Sequence, residues 1–262
     1  MKQYRLAHDA RPQVSILLTA AGVSLALWLI SWFVPFVSNI VYPLQLFATF
    51  IHEGSHVLAA LVSGGSVVSL TVSPDGSGEV YSATGGWLSQ LFVSSAGYLG
   101  TTAFGTGLLA WIRFGYSSRL GLLISAAIVG VLTIFFGFLA PILSLFQSVT
   151  FGGWLFTIAS GVVLTAGLAA IAKYADAKWV NFAFAFLAVQ CLLNAVFSLM
   201  ELLLITSLTN AHSDAANMAA ATGIPAFFWA ILWIGVSIVM ISLGLRIYAV
   251  NKNRASDSVF ED

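Results

Sequence analysis

Long apolar runs follow one another along most of the chain, and short polar stretches separate them. A helix needs about 20 apolar residues to cross the roughly 30 Å hydrocarbon core of a bilayer. Seven runs are of this length or longer, at residues 14–36, 42–63, 87–112, 120–146, 151–172, 179–207 and 226–249. The pattern therefore predicts an all-α membrane protein, built as a polytopic bundle of about six or seven transmembrane helices.

Between the second and third runs, the helical pattern changes to one that is typical of strands. The β-prone residues 67–73 precede the turn signal Pro74-Asp75-Gly76, and a second β-prone stretch follows at 79–81. We expect a short β-hairpin directly after the second helix. Unpaired backbone groups are costly in a membrane, so the free edge of this hairpin must be paired, buried or hydrated.

A polar stretch before the last apolar run predicts a short helix outside the membrane core. Ser213 or Asp214 can cap its start, and Gly223 followed by Pro225 can end it. In the third run, Gly97, Thr101 and Gly105 recur at a spacing of four residues. This spacing is typical of close packing between helices.

The composition excludes an ordinary soluble domain. Of the 262 residues, 59% are hydrophobic and 8% are charged, and the mean hydropathy is +0.96, whereas about 25% of the residues in soluble domains are charged. The formal net charge is zero, and no basic cluster indicates a nucleic acid as partner. We expect one integral membrane domain over residues 1–262, in contact with the lipid bilayer, with a polar N-terminal arm (1–12) and a polar C-terminal tail (250–262).

The second apolar run contains the pattern H-E-x-x-H at residues 52–56. On a helix, His52 and His56 lie one turn apart on the same face, where two imidazoles can bind one metal ion. Glu53 lies beside them and can accept a proton from water that the metal activates. Ionisable side chains within a membrane helix indicate a functional site, because they are costly when unpaired. The pattern predicts a Zn²⁺ site with both histidines as ligands and Glu53 as the catalytic residue.

A hydrolytic zinc site usually has three protein ligands, so the third must come from another segment. The sixth run has a polar stripe in an otherwise apolar helix, formed by Gln190, Asn194, Ser198 and Glu201. Glu201 is the first choice for the third ligand and Asp214 is the second, while His212 and Asp75 are more distant alternatives. Asn194 is a candidate for hydrogen bonding to the substrate.

A metal with a nearby general base is suited to hydrolysis of a peptide bond. A helical substrate within the membrane would have to unwind first, because its carbonyl groups are otherwise hydrogen-bonded. The predicted hairpin can hold the unwound segment as an added strand. We therefore expect the hairpin to bind the substrate, with Val67, Leu70 and Val72 as candidate residues.

Several motifs together resemble the site-2 protease family of intramembrane zinc metallopeptidases, and more closely its compact bacterial and plant branch. The motifs cover most of the chain: they are the run 50–60 around H-E-x-x-H, Gly64-Gly65, the turn at 73–78, Ala96-Gly97-Tyr98-Leu99-Gly100, Ser213-Asp214-Ala215-Ala216 and Thr222-Gly223-Ile224-Pro225. The resemblance implies zinc on His52 and His56, catalysis by Glu53 and a third, acidic ligand on a later helix. It also implies cleavage of membrane-embedded protein substrates by a multi-pass protein of the bacterial cytoplasmic membrane.

The chain departs from this family at the third ligand. The Asn-Pro-Asp-Gly type of motif is absent, and Ser198 and Glu201 stand where members of the compact branch tend to carry aspartates. This departure supports an alternative function. The protein would then be a catalytically silent membrane scaffold of the same fold, which binds membrane proteins without cleaving them.

Overall fold

The computed structural model describes residues 10–31, 33–209 and 212–249. Long helices form at all seven of the predicted apolar runs. They are α1 (Arg11–Ser31), α2 (Ser38–Val62), α3 (Trp87–Phe114), α4 (Ser118–Val131) with its π-helical continuation (Leu132–Leu139) and the short α5 (Ala140–Leu143), α6 (Phe151–Tyr174), α7 (Ala177–Leu208) and α9 (Ala226–Arg246). The predicted C-terminal tail lies outside the described residues, as does the N-terminal arm except for its last three residues.

Five helical stretches in the described residues are long and apolar enough to cross a membrane. These are Arg11–Ser31, Ser118–Leu143, Phe151–Tyr174, Ala177–Leu208 and Ala226–Ala249. The sequence predicts six or seven transmembrane helices, which is more than these five. The difference lies in α2 and α3, which are long helices but are not among the five candidate spans. Both carry polar and small residues along the face that forms the candidate site. The predicted class is nevertheless confirmed: the protein is an all-α membrane protein with one small sheet.

The predicted β-hairpin is confirmed and lies against α2. Its strands, β1 (Ser66–Val72) and β2 (Gly78–Ala83), pair in antiparallel orientation. In the turn, the Oδ1 atom of Asp75 accepts hydrogen bonds from the backbone N–H and the hydroxyl of Ser77, at 2.9 and 2.6 Å, and these bonds hold the pKa of Asp75 below its usual value. Gly76 has a φ of +87°, which favours glycine. The turn is fixed to α2 by the hydroxyl of Thr49, which donates to the carbonyl of Gly76 at 2.7 Å.

The two edges of the hairpin differ. Thr157 on α6 accepts a hydrogen bond from the backbone N–H of Val72 at 2.8 Å, and its hydroxyl lies 3.2 Å from the carbonyl oxygen of the same residue. This contact closes the outer edge of β1. Leu70 and Val72 are fully buried and belong to the main hydrophobic core. Residues of β2, among them Glu79 and Val80, line the cavity described below.

The predicted short helix is also confirmed, as α8 (Asp214–Thr222). Ser213 is its N-cap, because its hydroxyl accepts a hydrogen bond from the N–H of Ala216 at 3.2 Å, and Gly223 ends the helix with a φ of +75°. A second hydrophobic core joins α7, α8 and α9, and we call it the α7–α8–α9 cluster. It consists of Leu199, Leu202, Ala215, Met218, Ala230 and Trp233.

Candidate metal centre

Three potential metal ligands converge from two distant parts of the chain. His52 and His56 lie one turn apart on α2, as predicted, and Asp214 comes from the first turn of α8. The Oδ2 atom of Asp214 lies 3.3 Å from the Nε2 atom of His52 and 3.2 Å from the Nε2 atom of His56. Their ligand atoms all lie within 4.8 Å of one another. This is the group among the described residues that can hold a metal ion.

The spacing of these atoms fits a zinc ion. Zinc binds nitrogen and oxygen ligands at about 2.0–2.1 Å in tetrahedral geometry, so two of its ligand atoms lie about 3.3–3.4 Å apart. The distances of 3.3 and 3.2 Å from Asp214 to the two histidines agree with this value. Two imidazoles and one carboxylate are also a donor set that catalytic zinc sites use.

The tautomer of His56 favours metal binding. Its Nδ1 atom lies 2.7 Å from the carbonyl oxygen of Val93 on α3. A carbonyl oxygen can only accept a hydrogen bond, so Nδ1 must carry the proton and the Nε2 lone pair of the neutral ring points to the metal position. His56 itself is buried, with 6% of its surface exposed.

Gly97 leaves room in front of the ligand atoms. A Cβ atom at this position would collide with the Nε2 atoms of both His52 and His56. The absence of a side chain therefore keeps open the space that a metal ion and its fourth ligand require. The spacing of small residues in α3 predicted only helix packing. Gly105 does pack in this way, against Leu192 of α7.

Asp214 is held in its charged form. Burial alone would raise the pKa of Asp214, but His56 and His52, when their rings are protonated, outweigh this effect and hold the pKa of that carboxyl well below its usual range. Carboxylates bind metals in the deprotonated form. Asp214 is therefore ready to act as a ligand at neutral pH.

Glu53 lies beside the histidines and beneath the hairpin. Its side chain is 4% exposed, and the start of β2 approaches it so closely that a Cβ atom on Gly78 would lie 2.5 Å from the Oε1 atom of Glu53. Its carboxylate borders the same cavity as the three ligands. On the other side of the motif, a Cβ atom on Gly54 would lie 2.5 Å from Leu132, where the π-helical segment begins. α2 is thus closely packed on both sides of the motif.

A cavity of about 990 Å³ opens in front of the three ligands. Three of the four predicted stripe residues, Asn194, Ser198 and Glu201, line it. Glu201 is not among the three side chains whose ligand atoms converge. The geometry thus favours Asp214, the second choice, over Glu201. Gln190 lies further along α7 and donates a hydrogen bond to Ser24 of α1 at 3.2 Å.

The predicted substrate contacts of the hairpin need a correction. Leu70 and Val72 point into the core and are fully buried, and Val67 is partly buried against the same core. The side chains of Leu70 and Val72 therefore cannot contact a substrate, because they are packed in this core. β2 borders the cavity through Glu79, Val80 and Ser82, and Thr71 of β1 also belongs to the lining.

Together, these features define an integral membrane protein with the metal-binding arrangement of a metallopeptidase. The chain matches the family model described as Peptidase M50B-like over residues 16–244, and it belongs to that family. This finding confirms the resemblance to the site-2 protease family. No curated protein and no solved structure matches the chain.

Proposed function

We propose that this protein is a zinc-dependent intramembrane metalloprotease, which hydrolyses peptide bonds of membrane-embedded protein substrates in the bacterial cytoplasmic membrane. The observation that carries the proposal is the convergence of His52, His56 and Asp214, whose ligand atoms lie within 4.8 Å of one another. Membership of a peptidase family supports the hydrolytic activity. The Zn²⁺ ion would be held by these three side chains, with one position left for water or substrate.

Glu53 performs the proton transfers in this proposal. When bound, zinc would supply Lewis acidity, which polarises a peptide carbonyl and acidifies a nearby water molecule. The carboxylate of Glu53 takes the proton from this water as the water attacks, and then delivers it to the nitrogen of the leaving amine. Its place beside His52 and its position on the cavity wall suit both steps.

The outer edge of β2 is the proposed binding site for an unwound substrate segment. The other edge of the hairpin is closed by Thr157, so an added strand pairs with β2. Since Gly78 at the start of β2 lies against Glu53, a substrate strand along this edge passes the catalytic carboxylate. Where the substrate helix has unwound, the backbone groups of the substrate would form hydrogen bonds with β2 instead.

Asn194 of α7 lines the same cavity. The hydroxyl of Ser198 donates to the Oδ1 atom of Asn194 at 3.4 Å. The NH₂ group of the amide therefore points away from this contact and can donate to a substrate carbonyl. We propose this role for Asn194.

The scaffold alternative is less well supported. It rests on the missing motif for the third ligand, whereas a carboxylate, Asp214, lies within hydrogen-bonding distance of both histidines. The chain therefore has a complete set of candidate ligands without that motif.

Zinc content and peptide cleavage test the proposal together. The full-length protein, purified in detergent and dialysed against zinc, is compared with His56→Ala and Glu53→Gln. We expect about one zinc per chain in the wild type and in Glu53→Gln, and a loss of zinc in His56→Ala. A panel of single-pass transmembrane peptides in liposomes, analysed by mass spectrometry, should be cleaved by the wild type alone. Equal, near-zero zinc in the wild type and His56→Ala would contradict the proposal.

A further inference from the structure

The two histidines are held in different ways. The ring of His56 is fixed by the hydrogen bond from its Nδ1 atom to the carbonyl of Val93 at 2.7 Å. In the described part of the chain, the hydrogen bond of His52 is made by Nε2, the atom that faces the metal position, and goes to Asp214. A metal ligand usually needs a second contact that orients its ring. For His52, the contact that orients the ring is therefore not a hydrogen bond from Nδ1 among the described residues.

The ring of Tyr98 makes this contact. The ring centroids of Tyr98 and His52 lie 4.6 Å apart, and their planes form an angle of 88°. This is the edge-to-face geometry that aromatic pairs prefer. Tyr98 directly follows Gly97 on α3, so the residue that leaves space for the metal and the residue that contacts His52 are adjacent in the sequence.

Tyr98 is itself held from behind. Its ring stacks on Trp233 of α9 with a centroid distance of 5.5 Å and an interplanar angle of 21°. Trp233 is 1% exposed and belongs to the α7–α8–α9 cluster. The same cluster contains Ala215 and Met218, which anchor α8 and with it the neighbouring Asp214. One cluster of side chains thus supports both the ring that orients His52 and the helix that supplies the carboxylate.

We propose that Tyr98 is a positioning residue of the metal centre. Its aromatic ring sets the orientation of His52. Through the contact with Trp233, it also keeps His52 in a fixed position relative to Asp214. The contact is made by the ring, so phenylalanine should replace tyrosine without loss. This inference rests on the proposed function, because it requires that a metal binds to His52.

Binding of Co²⁺ tests the inference without relying on activity. The visible absorption spectrum of Co²⁺ reports the geometry of its ligands, and a titration gives the dissociation constant. The full-length protein in detergent is compared with Tyr98→Phe, Tyr98→Leu and the control Tyr116→Leu. Tyr116 makes a similar edge contact with Trp111, at 5.2 Å and 62°, but does not line the cavity.

We expect Tyr98→Phe and Tyr116→Leu to bind Co²⁺ with the affinity and spectrum of the wild type. Tyr98→Leu should bind about 10- to 100-fold more weakly and with an altered spectrum, as is typical when a residue that orients a ligand is removed. Thermal unfolding of the metal-free proteins checks that each variant is folded. If Tyr98→Leu does not fold, Tyr98→Met replaces it, with the same expected loss.

Two results would overturn the role of Tyr98 while leaving the proposed function intact. One is a Tyr98→Leu protein with wild-type affinity and spectrum. The other is a Tyr98→Phe protein that loses as much affinity as Tyr98→Leu, which would assign the effect to the hydroxyl rather than to the ring. A wild-type protein that binds no Co²⁺ would instead overturn both the inference and the proposed metal site.

Discussion

Gly97 on α3 lies so close to the Nε2 atom of His56 on α2 that a Cβ atom at Gly97 would collide with it. The same Cβ atom would also meet Nε2 of His52. α3 therefore forms the second wall of the metal site, at a distance that only a glycine allows. α2 supplies the two histidine ligands, and Gly97 of α3 keeps the space in front of them open.

Substitution of Gly97 by alanine should strongly weaken metal binding. The added methyl group occupies the space in front of both Nε2 atoms, so we expect the affinity for zinc to fall by at least about 100-fold, the upper range for disturbed ligand support. Gly107→Ala is the matched control, because Gly107 lies on the same helix and a Cβ atom added there would meet no neighbouring side chain within 4 Å. The control should bind zinc normally and be up to about 1 kcal/mol more stable, since alanine favours helix. Isothermal titration with zinc measures the affinities, and normal binding by Gly97→Ala would refute this prediction.

Substitution of Gly78 by alanine should separate metal binding from catalysis. The new methyl group would lie 2.5 Å from the Oε1 atom of Glu53 and must displace this carboxylate. A displacement of about 1 Å at a reacting group costs about 100-fold in rate. We therefore expect cleavage of a transmembrane test peptide to slow by about this factor while zinc content is unchanged.

Gly85→Ala is the control for Gly78→Ala, because its nearest neighbour, the carbonyl oxygen of Ser63, would lie 3.9 Å from the new Cβ atom. It should cleave the peptide at the wild-type rate. A Gly78→Ala protein with wild-type activity would show that the hairpin does not constrain Glu53.

Thr157 should contribute to stability through the edge of β1. Thr157→Val leaves the buried N–H of Val72 without its partner at 2.8 Å, which should cost about 1–3 kcal/mol. Thr165 on the same helix has a buried hydroxyl with no hydrogen-bond partner among the described residues. Thr165→Val should therefore be neutral or stabilising. Thermal unfolding in detergent compares the stability of the two variants. An equal effect of both substitutions would show that the hydrogen bond from Val72 to Thr157 does not stabilise the edge of β1.

The sequence was informative where structure depends on local patterns. The apolar runs predicted the long helices, and the Asp-Gly turn at Asp75 predicted the hairpin. Ser213 and Gly223 marked both ends of α8. The spacing of His52 and His56 placed both side chains on one face of α2, because the α-helical repeat alone determines this.

The remaining part of the site depends on contacts between distant segments. Asp214 was a weaker candidate because an aspartate at the start of a helix is often its cap, but Ser213 performs the capping and leaves the Asp214 carboxylate free to reach the histidines. The polar stripe on α7 favours Glu201, but such a stripe indicates the cavity and not the ligand. The roles of Gly97 and Tyr98 follow from the approach of α3 to α2, which no local pattern encodes.

The identity of the third ligand is tested most directly by zinc affinity in two variants, Asp214→Ala and Glu201→Ala. Both remove a carboxylate from the wall of the same cavity, but only Asp214 lies within 3.3 Å of both histidines. We expect Asp214→Ala to bind zinc at least about 100-fold more weakly than the wild type, and Glu201→Ala to bind with wild-type affinity. Wild-type affinity in Asp214→Ala, together with a loss in Glu201→Ala, would contradict the assignment of the metal centre.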